Sequence, residues 1–203
     1  MAALRTERAD GFLALPEQVV AAHATWRFSR ESVVDPMYAA EFYDLYRMAF
    51  TPLATRSVAR QVLTATEFND QMADSRIDKY IAWNDRGMPV GITTLTKHLD
   101  AIPWISPDYF RARYPEHWRR NVVYYLGFTL AHPSLRHQRF LETIIRVGIN
   151  PLVDERAVLA YDVCAYNNAA LRFQERIEDV LSHYPGVELE TIDTQTYYSV
   201  SFS

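Results

Sequence analysis

The run Asn121–His132, NVVYYLGFTLAH, constrains the fold most. β-branched and aromatic residues fall on both of its alternating sides, so as a strand it has no face for water. It must lie inside a sheet covered on both sides. Pro133-Ser134 follows at once, and then Phe140, Leu141, Ile144 and Ile145 recur at helical spacing, so strand and helix form one β-turn-α unit that Gly148 and Pro151 are expected to close. A helical bundle and a sheet with one wet face are both excluded, and an α/β architecture is predicted.

The unit repeats. A strand over Ala157–Tyr166 leads through Asn167-Asn168 into a helix with Ala170, Phe173, Ile177, Val180 and Leu181 on one face, stopped by Pro185-Gly186. Upstream, Trp26–Val34 is the expected first strand. Asp35-Pro36 reads as a helix start, and Tyr38, Phe42, Leu45 and Ala49 form an apolar stripe that ends at Thr51-Pro52. Thr64 and Glu67 have capping-box spacing ahead of Phe68 and Met72. From Ile77 the period becomes two. Ile77, Lys79, Ile81 and Trp83 alternate, Asp85-Arg86-Gly87 turns, and Val90, Ile92, Thr94 and Thr96 alternate again, predicting a hairpin over 77–97. The closing VELETIDTQTYYSVSFS reads as a second hairpin, which brings the mixed, mostly antiparallel twisted sheet to about seven strands flanked by helices.

The 203 residues suit one domain, with 1–25 as an N-terminal extension and 98–120 as an aromatic insertion between the third and fourth strands. That insertion holds Trp104, Tyr109, Phe110, Tyr114 and Trp118 among three prolines. It reads as a loop with one short helix, either a satellite hydrophobic cluster or a lid over a site.

A formal net charge of -4 does not favour a nucleic-acid backbone as partner. The densest basic cluster, Arg136, His137 and Arg139, suits a small phosphorylated ligand. Cys164 is the single cysteine, so no internal disulfide forms, and the short apolar run near the start fits neither a signal peptide nor a membrane span. A cytoplasmic protein is expected. The six histidines have no spacing that gathers metal ligands, and no serine nucleophile elbow or P-loop is present.

Two motifs carry a resemblance. The first is Leu130-Ala131-His132-Pro133-Ser134-Leu135-Arg136-His137-Gln138-Arg139-Phe140-Leu141, and the second is Asn167-Asn168-Ala169-Ala170-Leu171-Arg172-Phe173. Each stands at a strand-to-helix junction, and together with the order of elements they resemble the GNAT (GCN5-related N-acetyltransferase) superfamily. In that family the first motif wraps the pyrophosphate of acyl-CoA, and Pro133 and Arg136 fall in place. Arg139 and Leu141 stand where the family has glycine, or glycine or alanine. Side chains there hold an anion further from the helix N-terminus, although Arg139 offers a guanidinium in return. In the second motif asparagine and alanine match, but Phe173 replaces the tyrosine that often protonates the departing thiolate.

The resemblance implies an acyl-CoA-dependent N-acyltransferase, with acetyl-CoA or another acyl-CoA as co-substrate and a small-molecule or peptide amine as acceptor. Leu130, Ala131, Arg136, His137, Gln138, Arg139, Phe140, Leu141 and Asn167 are its expected cofactor contacts. Tyr125, Asp162 and Tyr166 are candidates for deprotonating the amine, with His132 also near in sequence. Trp104, Tyr109, Trp118 and Tyr124 are expected to shape the acceptor site. Cys164 is an alternative acyl acceptor or an inert buried thiol. A second reading is a GNAT-like protein that binds a ligand or partner without transfer, and a third uses a different acyl donor. A homodimer is compatible with each. All depend on the fourth and fifth strands diverging near Ala131 and Ala165 to leave a slot.

Overall fold

A computed structural model describes residues 26–135 and 140–202. Its centre is a five-stranded sheet in the order β1-β2-β3-β4-β5, formed by Arg27–Glu31, Asp78–Trp83, Pro89–Thr96, Val123–Ala131 and Val158–Ala160. All neighbours are antiparallel except β4 and β5, which run parallel. Parallel strands need a crossover connection, and α5 (Phe140–Glu155) supplies it after a 3-10 turn at Pro133–Leu135.

The first helical layer contains α1 (Ala39–Phe50) and α2 (Ala65–Ala73). Asp35 accepts from Met37 N at 2.9 Å and opens a 3-10 turn at Pro36–Tyr38, as its residue type predicts. Thr64 and Glu67 form the complete capping box. From this layer Phe42, Leu45, Tyr46, Phe68 and Met72 pack on Ile81, Ile92, Phe128 and Leu130. On the opposite face α5 places Phe140, Ile144, Val147 and Leu152 against Phe28, Tyr80, Ala82, Leu95 and Tyr124. The central strand is therefore covered on both sides, as its composition demands.

One irregularity in β4 decides where its side chains point. Thr93 pairs Thr129 and Leu95 pairs Leu126, so Gly127 and Phe128 together oppose Thr94. This is a β-bulge. The hydroxyl of Thr94 occupies the gap and accepts from Phe128 N at 3.0 Å, and a Cβ on Gly127 would lie 2.7 Å from that oxygen. The extra residue shifts the alternation by one. Val123 and Tyr125 before the bulge therefore share a face with Phe128 and Leu130 after it.

Several boundaries differ from expectation. The sheet has five strands among the described residues, because residues 187–202 adopt neither strand nor helix. β5 covers Val158–Ala160 only; beyond Ala160 the chain leaves β4 and has no strand to pair with. α5 continues through Gly148 and Pro151 to Glu155, because Val147, Ile149 and Leu152 are all buried and packing outweighs one lost helical hydrogen bond. The helix expected after Asn167 is two, α6 (Ala165–Leu171) and α7 (Phe173–Leu181), separated by Arg172 at φ 48°. The side chain of Asn168 makes this break tolerable by accepting from Gln174 N at 3.0 Å, in the first turn of α7. Residues 98–120 fold as a 3-10 turn and two short helices, α3 (Pro107–Arg113) and α4 (Pro115–Arg119), rather than one. The expected extension, 1–25, lies outside the described residues.

Candidate functional site

β4 and β5 are paired only at Val123–Val158, Tyr124–Leu159 and Tyr125–Ala160. β4 then runs on to Ala131 beside β3 alone, while the other chain turns away into α6. The result is a fork. Its crotch lies at Tyr125 and Ala160, nearer the start of β4 than the sequence indicates, and the bulged residues Gly127 and Phe128 lie just above it on one arm.

Three of the candidate residues meet at this crotch. Tyr125 is buried, its hydroxyl donates to Asp162 Oδ1, and Trp104 Nε1 donates to the same hydroxyl at 3.3 Å. Burial first, and the Asp162 charge second, push the Tyr125 phenol far above the usual tyrosine range, so it stays a neutral donor. Asp162 is exposed. Trp104, nearly half exposed, forms a wall beside it.

The insertion forms the satellite hydrophobic cluster that is one of its two expected readings. Leu99, Ile102 and Phe110 pack with Val123, Tyr125 and Ala160 as a satellite core, and Trp104 at its margin reaches the fork. Tyr109 and Trp118 make their own contacts, Trp118 against the same satellite core. Tyr109 donates to the carbonyl of Ile192 at 3.1 Å, and Trp118 lies 5.0 Å beneath the Arg111 guanidinium. Tyr124 points to the opposite face of the sheet and donates to Glu155 Oε2 at 2.8 Å, because strand residues alternate.

Tyr166 stands at the start of α6, its hydroxyl accepts from Arg56, and its ring lies 4.8 Å from that guanidinium. Arg56 follows the Thr51–Thr55 turn after α1, whose last residue, Phe50, touches Phe128 at 6.0 Å between ring centroids. The pair therefore ties the helical layer over the bulged arm to the chain leaving the other arm. Sequence reasoning missed Arg56, since nothing local marks a partner 110 positions away.

Of the expected cofactor contacts, Arg136, His137, Gln138 and Arg139 lie outside the described residues. Leu130 is buried against the α1 layer and Ala131 packs towards α5, so only their backbone faces the fork. Phe140 is a core residue, 4.7 Å edge-on from Trp26. Leu141 packs between the α5 core and the cluster of α7, which makes both side chains part of the interior rather than an anion cradle. Asn167 is half-buried on α6. Phe173 meets Tyr161 edge-on at 6.1 Å. Glu142, in the first turn of α5, contacts Arg176 at 3.3 Å and keeps its other oxygen buried without a hydrogen bond among the described residues. Cys164 is half-buried and precedes α6. Among the described residues no cluster suited to a metal ion is present, and no helix is long and apolar enough to cross a membrane.

No family model matches the sequence, and no curated protein matches it. Solved structures do. A candidate acetyltransferase from Acinetobacter baylyi ADP1 superposes with a TM-score of 0.52 at 12% identity, over 75% of this chain and 77% of that one. The ribosomal-protein-alanine N-acetyltransferase from Brucella melitensis biovar Abortus 2308 gives 0.47 at 12% identity, over 87% and 99%. The aminoglycoside N-acetyltransferase AAC(6')-Iy, solved with CoA, gives 0.48 at 11% identity, over 87% and 98%. The first establishes a shared fold, the one implied by the two strand-to-helix motifs.

Proposed function

We infer that this chain, which has the GNAT fold, is an acyl-CoA-dependent N-acyltransferase acting on a small-molecule or peptide amine. The observation that carries the reading is the fork, with an exposed carboxylate held at its crotch by a buried phenol. A thioester arm lying between the arms would bring its carbonyl beside the bulged backbone of β4, where backbone N–H groups polarise it. Asp162 would draw an ammonium-bearing acceptor to the same point and accept its proton, so that the neutral amine attacks the thioester carbonyl. As the C–N bond forms the C–S bond breaks and CoA leaves as the thiol, its proton supplied by water because Phe173 has no hydroxyl. Trp104 would line the acceptor side. Reaction then depends chiefly on positioning, which is worth many orders of magnitude when the reacting atoms are aligned.

Arg136, His137, Gln138 and Arg139 remain the proposed contacts to the pyrophosphate, together with the backbone at the start of α5. Leu130, Ala131 and Asn167 would border the pantetheine arm. Arg56 and Tyr166 would close over the fork, and Tyr166 would donate to a bound carbonyl or amine. The test is a thermal shift with acetyl-CoA, followed by acetyl transfer to a panel of primary amines. Stabilisation by the cofactor and turnover of at least one amine are expected; no stabilisation at millimolar acetyl-CoA would remove the proposal.

A second reading, ligand binding without transfer, is favoured by two observations. Phe173 packs on Tyr161 and has no hydroxyl to give a leaving thiolate, and Glu142 sets a buried carboxylate oxygen near the end of α5 that an anion would approach. Phe173→Tyr discriminates: a rise in transfer from a low basal level supports a weakened enzyme, whereas binding with no transfer in either form supports the second reading.

A further inference from the structure

A cavity of about 430 Å³ lies away from the fork, at the edge of the sheet beside β1 and the turn that leads into α1. The sheet order puts β1 three positions from β4, so roughly 14 Å of sheet separates the cavity from the bulged arm. Its floor is apolar, formed by Val34 and by Ile81 of β2, both buried. Its walls are two half-buried rings, Tyr38 and Trp83, whose planes meet at 67° with 5.5 Å between centroids. Trp83 is held in place, because its Nε1 donates to Ser29 Oγ at 2.9 Å and Phe42 meets it edge-on at 6.0 Å. The corner is therefore fixed before any ligand arrives. With its N–H already used, the indole offers a ligand its π system rather than a donor.

The rim is negative. Glu31, the last residue of β1, and Asp35 both line the cavity, and among the described residues no lysine or arginine does. The neighbouring cations are engaged elsewhere. Lys79, the register partner of Glu31, donates to the carbonyls of Ser32 and Asp74, and Arg30 pairs with Asp78. Arg27 opposes Trp83 in register but is exposed and outside the lining. Glu31 is half-buried and has no hydrogen-bond or ion-pair partner among the described residues. Asp35 accepts from Met37 N with Oδ1, and its Oδ2 has no donor among them. A half-buried carboxylate without a counter-charge is unfavourable, and a cation in the cavity would relieve it.

We propose that this cavity binds a small alkylated ammonium ion, its charge against the Tyr38 and Trp83 rings and within reach of Glu31 and Asp35. Aromatic faces attract cations, more strongly where water is excluded. Alkylation suits these surroundings. N-methyl groups bring the charge to a π surface without needing a hydrogen-bond acceptor, and their carbon surface packs on Ile81 and Val34. The inference does not rest on the transfer chemistry, since none of these residues borders the fork.

The test is a titration of the isotope-labelled full chain with choline, following the indole N–H signals of its four tryptophans by NMR. The control is the neutral alcohol of the same shape, in which a quaternary carbon replaces the quaternary nitrogen. Trp83→Phe identifies the Trp83 signal. That signal is expected to move with millimolar choline and to stay in place with the alcohol. Glu31→Gln/Asp35→Asn keeps both side-chain shapes and a helix-capping residue, and is expected to bind choline roughly tenfold more weakly. A Trp83 signal that stays still at millimolar choline, equal movement with the alcohol, or unchanged affinity in the double variant overturns the proposal. So does movement confined to the Trp104 signal, which would put the cation at Asp162 instead.

Discussion

The hydroxyl of Tyr125 donates to the carboxylate of Asp162 across the point where β4 and β5 part: Tyr125 belongs to the last strand pair, and Asp162 lies beyond the end of β5. One residue is buried and neutral, the other exposed and charged. The pairing fixes an exposed carboxylate that would otherwise sample many rotamers, at the place where a ligand between the strands would meet an acceptor.

Asp162→Asn is expected to lower kcat/KM for acetyl transfer by roughly 100-fold, the lower range for a positioned acid–base group. Tyr125→Phe leaves the carboxylate in place but unheld, so a smaller loss is expected, concentrated in KM. Steady-state kinetics on both variants with one amine checks the order; equal effects would remove the division of roles.

Alkaline stability follows from the same phenol. Tyr125 has a raised folded-state pKa, as has Tyr46, which burial pushes up to about 12. In the unfolded chain tyrosine ionises near 10. The native state then holds protons that the unfolded state has lost, so this stabilisation is complete below pH about 10 and is lost as pH rises through the folded values. Urea unfolding at stepped pH is expected to show the decline, with a shallower slope in Tyr46→Phe.

Lys79 acts in the opposite sense. Its ammonium is buried and donates to the carbonyls of Ser32 at 2.8 Å and Asp74 at 2.7 Å, and burial lowers its pKa to about 8. The unfolded chain retains that proton up to about 10.4. Between those values the unfolded state binds more protons, so the lysine's contribution favours folding more as pH rises. The stability difference between the unaltered chain and Lys79→Met is expected to change with pH in this window, and a flat difference would contradict the assignment.

Gly91→Ala is expected to destabilise by about 1–3 kcal/mol through overpacking. The added Cβ would lie 2.4 Å from Phe140 Cε1 and 3.0 Å from the Leu130 carbonyl, and the Phe140 ring is confined by Trp26. Phe140→Leu in the same chain should recover part of the loss, which thermal unfolding of single and double variants measures.

Thr64→Ala removes the cap of α2 and should cost about 1 kcal/mol. The Thr64 hydroxyl accepts from Glu67 N at 3.3 Å, and Glu67 answers at Thr64 N at 2.8 Å. Chemical denaturation of the variant, with an unchanged m-value, checks this.

What the sequence determined by itself was local or periodic. The capping box at Thr64, the hairpin around Gly87, the apolar faces of α1 and α5 and the two-sided burial of β4 all follow from spacings within a few residues, where backbone geometry alone decides which side chains meet. The strand-to-helix motifs carried the fold. Tertiary structure decided the rest, because it depends on partners distant in the chain. No spacing reveals that Thr94 fills a bulge at Gly127, that Arg56 reaches Tyr166, or that Trp104, Tyr125 and Asp162 converge while Tyr124, one position along, is turned to the other face. β5 ends at Ala160 and α5 passes through Pro151 for the same reason: a strand persists only beside a neighbour, and a helix persists where burial outweighs a missing hydrogen bond.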